Sequence, residues 1–109
     1  MVVGFELDGQ GFTGLNGGPI FKFNEAISMI VNCETQDEVD HYRDRLGEGG
    51  EPGRCGWFKD RFGVSGQIVP TVVVEMVQDT HSAKSQRVMA TMMKMRKLDI
   101  AALKQAYDA

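Results

Sequence analysis

The side chains with chemistry to offer are few and scattered along the 109 residues. Gln67 stands out, in a strand-like run that ends at Pro70. Its amide both donates and accepts hydrogen bonds, which suits a ligand carbonyl, although a sheet glutamine can also bond to backbone. By strand alternation Ser65 and Val69 share its face, and Val64 and Ile68 lie opposite. Trp57, the single tryptophan, offers a planar surface for stacking or a large core filler. Phe21 and Phe23 alternate and either wall a pocket or pack beneath their loop. Asn16, with Gly17 and Gly18, forms an anion-binding nest or an ordinary loop.

Nucleophiles and metal ligands are scarcer. Cys33 and Cys55 need a nearby histidine or positive charge to become thiolates. Arg54 adjoins Cys55, but neighbours on a strand point to opposite faces, so both thiols are expected buried and inert. Cys55 is placed on the same strand face as Trp57. His41 falls on the polar side of a predicted helix and His81 near a helix start, so both are expected solvated. No Cys-x-x-Cys occurs, which excludes a zinc ribbon or thioredoxin-type site. Two cysteines and no evident leader point to free thiols in a reducing, cytoplasmic setting. The net charge is −3. The densest basic cluster, Lys94, Arg96 and Lys97, suits a helix C-terminus better than a nucleic-acid surface. No apolar stretch approaches the ~18 residues of a membrane span.

The elements that must position these groups fit one domain. Val3, Phe5 and Leu7 alternate with Gly4, Glu6 and Asp8, and Asp8-Gly9 signals a hairpin whose second strand covers residues 11–16. Ile27, Met29, Val31 and Cys33 alternate with Ser28, Ile30 and Asn32 as a third strand. Thr35-Gln36-Asp37-Glu38 is a capping box before a helix with Val39, Tyr42 and Leu46 on one face, closed by Gly47. Residues 49–53 read as loop. Residues 54–70 read as a second hairpin turning at Asp60-Arg61-Phe62-Gly63. Residues 71–79 are ambiguous between strand and short helix. A helix starting near Ser82 buries Val88, Met92 and Met95, and Asp99 caps another with Ile100, Leu103 and Tyr107. The methionines of this region suit irregular core or dimer packing. The order predicts an α+β fold with a mixed, curved sheet and C-terminal helices, not a doubly wound one.

Phe5-Glu6-Leu7-Asp8-Gly9-Gln10, Leu15-Asn16-Gly17-Gly18-Pro19, Cys33-Glu34-Thr35-Gln36, Cys55-Gly56-Trp57, Lys59-Asp60-Arg61-Phe62-Gly63 and Gln67-Ile68-Val69-Pro70 together resemble the PhnB-like group, often labelled demethylubiquinone methyltransferase-like. Phe21-Lys22-Phe23, Gly49-Gly50 and Lys97-Leu98-Asp99-Ile100-Ala101 extend the match. The group lies in the vicinal oxygen chelate, or glyoxalase, superfamily. That resemblance implies paired βαβββ modules around a cup. It implies that residues 1–16 are a hairpin left from a first module whose opening part is absent, that residues 26–70 are a second module, and that residues 71–109 form a helical tail. It places Gln67 in the pocket, where a metal-binding glutamate usually stands, and implies a histidine near residues 26–28, where this chain has none. A metal would have to recruit Glu25 or Glu6, so no cofactor is expected. It also implies a tryptophan before Gln67. Here that residue is Gly66, which would leave space beside Gln67.

Three functions follow. The first is binding of a small polar metabolite by Gln67, Ser65, Trp57, Phe21, Phe23 and Asn16, without a metal. The second is a metal-dependent lyase or dioxygenase completed by a partner chain. The third is a non-catalytic dimerisation domain. An exposed strand edge and an uncovered apolar face make a homodimer, or a fragment of a longer polypeptide, the expected state. Methyl transfer is not expected, because no Gly-x-Gly-x-Gly loop follows a strand.

Overall fold

The computed structural model describes residues 1–78 and 81–109. Among the described residues ten elements run in the order β1 (Val2–Leu7), β2 (Gln10–Leu15), β3 (Met29–Cys33), α1 (Gln36–Leu46), β4 (Glu51–Pro52), β5 (Trp57–Lys59), β6 (Ser65–Pro70), α2 (Thr71–Val77), α3 (Ala83–Met92) and α4 (Ile100–Asp108). β1 and β2 form a hairpin by themselves. Asp8 and Gly9 turn it with φ of 51° and 78°, the positive pair that a two-residue hairpin loop requires. The other strands form one mixed sheet in the order β3-β6-β5-β4. β3 runs parallel to β6, and the remaining pairs are antiparallel. Residues 29–70 thus run βαβββ, the order expected from the resemblance.

Parallel pairing needs a crossover, and α1 supplies it. Thr35 caps α1 by accepting the Glu38 amide at 3.2 Å. Glu38 reaches back one residue further than a standard capping box, to the Glu34 amide. The face of α1 that carries Val39 meets Cys33, Phe58 and Ile68 in one buried cluster. Arg43 on α1 braces the far strands, donating to the carbonyl oxygens of Gly53 and Trp57. A second cluster of Val73, Met76, Val88, Leu98 and Leu103 holds α2, α3 and α4 together. Gln36 joins the two clusters: its amide donates to the Leu98 carbonyl at 3.0 Å and accepts from the Ile100 amide at 2.8 Å.

Several expectations are corrected. Residues 51–52 are not loop but a two-residue strand, which pairs with Phe58 and Lys59. Its Glu-Pro composition hid it, since proline is tolerated only at a sheet edge. β3 begins at Met29, and Ile27 lies before it, exposed. Cys55 is not on a strand and shares no strand face with Trp57. It sits in a turn with φ of 57°, and its amide donates to the Met95 carbonyl. The ambiguous segment is helical over Thr71–Val77, because Pro70 serves as its N-cap; Asp79 lies outside the described residues. Tyr42 and Leu46 on the α1 stripe remain 37% and 43% exposed. The space expected beside Gln67 does not exist. Gly66 and Gln67 face opposite sides of β6, and the Phe58 ring fills the space over Gly66, where an added Cβ would lie 2.5 Å from the ring.

Gly66→Ala is therefore expected to lower stability by about 1–3 kcal/mol through overpacking. The same substitution made on a Phe58→Leu background is expected to cost less. Urea denaturation of the four proteins of this cycle measures both.

Candidate functional site

Strand registers bring three side chains into one row. Trp57 pairs with Gln67, and Gln67 pairs with Ile30. Paired residues project to the same face, so Trp57, Gln67 and Ile30 lie side by side across β5, β6 and β3. This is the face away from the Val39–Phe58–Ile68 cluster. Asn32 on β3 and Val69 on β6 form the next row of it. Ile30 is 57% exposed, and Trp57, Gln67 and Val69 are half-buried.

Residues 23–28, between β2 and β3, form a strap along this face. Asn24 accepts the Ala26 amide and fixes a turn in it. Ser28 accepts a hydrogen bond from the Gln67 amide nitrogen at 2.9 Å. Glu25 pairs with Lys59, which sits beside Ser65 in the register. The hydrogen bond from Lys59, aided by Glu25's own backbone and the Lys59 charge, holds the Glu25 carboxyl below its ordinary value. The same contact holds the Lys59 ammonium above its ordinary value. Ser65 is buried, and its hydroxyl has no protein partner.

The Asp60 turn is built as its sequence implies. Asp60 accepts the amides of Phe62 and Val64 at 2.8 and 2.9 Å, and Gly63 takes a φ of +90°. It fixes where β6 begins, and so where Gln67 stands.

The remaining candidates are elsewhere. Asn16 is exposed at the end of the hairpin. Phe21 is 92% exposed and Phe23 67%, so neither walls an enclosed pocket within the single chain. Cys33 is fully buried, and burial first, with the nearby Glu38 charge, raises its thiol above the ordinary value. It is poorly suited to nucleophilic chemistry. Cys55 is half-buried, its sulfur 3.6 Å from that of Met93. His41 is exposed and stacks edge-on against Tyr42.

A hollow of about 1030 Å³ lies at the edge of β3. The hairpin end (Leu7, Asp8, Gln10), Met29 and Ile30, and Tyr42 line it. Of the expected site residues only Ser65 lines it; Gln67 and Trp57 do not.

The profile of the 3-demethylubiquinone-9 3-methyltransferase family matches residues 1–69. The chain belongs to that family. Among solved structures it is similar to a protein from Bacillus cereus described as a 3-demethylubiquinone-9 3-methyltransferase, PhnB protein. The two share 29% identity with a TM-score of 0.59, over 64% of each chain. No curated protein matches. The PhnB-like assignment and the glyoxalase-like α+β fold with C-terminal helices are therefore sound.

Among the described residues no three His, Cys, Asp or Glu side chains converge. Glu25 is paired with Lys59, and β3 carries no histidine or carboxylate. No helix among the described residues is long and apolar enough to cross a membrane.

Ser28, Lys59 and Ile30 were not legible in the sequence as neighbours of Gln67. The alternation of β3 had already put Ser28 and Ile30 on one face. Only the parallel register with β6 puts that face beside Gln67.

The strap should respond to pH at both ends. Glu25 is depressed from 4.5, so its contribution is present above that value and lost as pH falls through the lowered one. Lys59 is raised from 10.5, so its contribution is present below that value and lost as pH rises through the raised one. Amide protection factors of residues 25–28 are expected to be level between these limits and to fall outside them. Glu25→Gln is expected to flatten the acid limb.

Proposed function

We propose that the protein binds a small polar metabolite on the sheet face formed by Trp57, Gln67 and Ile30, and that it does so as a homodimer. The row of three supports this reading. It sets a flat aromatic surface, a hydrogen-bonding amide and an apolar neighbour side by side on a half-open face. Ser28 takes one proton of the Gln67 amide, which orients the side chain and leaves its carbonyl oxygen and second proton for a ligand. Trp57 supplies stacking area. The buried Ser65 hydroxyl, without a protein partner, is a further group that a ligand or a water could satisfy.

Binding is favoured over methyl transfer. A nucleotide-type methyl donor sits on a glycine-rich turn from strand to helix. Among the described residues, strand passes to helix only through Glu34-Thr35 and directly at Pro70, and neither passage holds a glycine. Lewis-acid chemistry would need donors that this face does not bring together.

The intrinsic fluorescence comes chiefly from Trp57, so a titration with a panel of small carboxylate and carbonyl metabolites reads this site directly. One class is expected to change the emission saturably. Gln67→Leu is expected to weaken that binding about two- to tenfold, the range of one net hydrogen bond. No response across the panel, or an unchanged affinity in Gln67→Leu, would overturn the reading.

A further inference from the structure

The methionine-rich segment divides in two. Met76, Met92 and Met95 belong to the helical core or pack against it. Met89 and Met93 do not, and stand 39% and 60% exposed. They lie four residues apart at the end of α3, and therefore on one face of it. Packing explains the first three and leaves these two without a role.

Cys55 meets that face. Its sulfur lies 3.6 Å from the Met93 sulfur, at the surface and outside both cores. The chain is bent to bring the two together. Cys55 takes a left-handed φ of 57°, a conformation that a residue with a side chain adopts only at a cost. Two backbone bonds hold it there, from the Cys55 amide to the Met95 carbonyl and from the Gly56 amide to the Arg96 carbonyl, both at 2.8 Å. The segment that fixes Cys55 is thus the one that carries Met93.

We propose that Cys55, Met93 and Met89 form a site for a soft monovalent cation, Cu(I). Thiolate and thioether are the donors that select soft ions. Two bonds to sulfur of about 2.3 Å spanning 3.6 Å meet the ion at roughly 100° and leave a third direction open. Met89, with three rotatable bonds, reaches that direction from one turn away. Zinc is the poorer fit. It takes four donors, mostly thiolate and imidazole, and no three His, Cys, Asp or Glu side chains converge among the described residues. Charge makes the same choice. Arg54 adjoins Cys55, and Lys94 and Arg96 follow Met93, so the nearest charges along the chain are positive. A divalent ion would add to them, whereas one thiolate and one Cu(I) make a neutral centre. On binding, the S–H bond breaks and an S–Cu bond forms; the proton passes to solvent and copper keeps its oxidation state. The site shares no residue with the Trp57–Gln67–Ile30 row and stands independently of it.

Anaerobic titration of the reduced protein with Cu(I), against a chromophoric Cu(I) chelator, tests the site. The expected result is one ion per chain withheld from the chelator, with a thiolate-to-metal absorption in the ultraviolet and a raised melting temperature. Cys55→Ser is expected to abolish all three while retaining the buried Cys33. Met93→Leu is expected to weaken binding by about tenfold or more, and Met89→Leu by a smaller factor. Both side chains are exposed, so both variants are expected to keep the circular dichroism of the parent. Cu(I) held equally well by Cys55→Ser would overturn the proposal. So would an unchanged affinity in Met93→Leu, which would reduce the site to a thiol that binds copper unaided. Displacement of the copper by an equal amount of zinc would overturn the choice of ion.

Discussion

The parallel ladder between β3 and β6 is the contact on which the rest of the molecule depends. It joins segments that are far apart in sequence, and it forces the chain to cross over through α1. The crossover lays Val39 onto Phe58 and Ile68 and so creates the first core. The same ladder sets Ile30 beside Gln67, while the antiparallel ladder of β5 sets Trp57 on the other side. One register slip in β3 would turn Ser28 and Ile30 to the helix side and leave Gln67 with neither neighbour.

Local features of this fold were legible because their causes are local. Asp8-Gly9 and Asp60 to Gly63 are turns whose residue types meet a backbone requirement without help from elsewhere. Thr35, Ser82 and Asp99 cap helices through their own side chains. Features that depend on distant residues were not legible. β4 is two residues long and exists only because β5 offers an edge to pair with. Cys55 adopts a left-handed conformation because its amide and that of Gly56 bond to Met95 and Arg96, some forty positions away. Gly66 is small because the Phe58 ring lies over it.

The candidate site divides along the same line. Gln67 and Trp57 were readable as chemistry on a strand, and the family resemblance drew attention to Gln67. The strap that ties Gln67 to Ser28 and Lys59 to Glu25 was not readable, since its only sequence trace is an Asn-Glu-Ala turn of ordinary composition. Phe21 and Phe23 show the reverse case. Their spacing suggested a wall, yet in a single chain they stand in solvent, and apolar side chains that exposed need a covering surface from somewhere.

Gln36 has a consequence for how the molecule comes apart. Its one amide spans the start of α1 and the start of α4, with Asp40 sharing its donor and Lys97 bound to Asp40 from the other side. The sheet core and the helical core therefore cannot separate without stripping several half-buried polar groups of their partners at once. Partial detachment of the tail carries that penalty from its first step. Heat or denaturant should meet residues 29–109 as one cooperative block, in spite of their two separate hydrophobic centres.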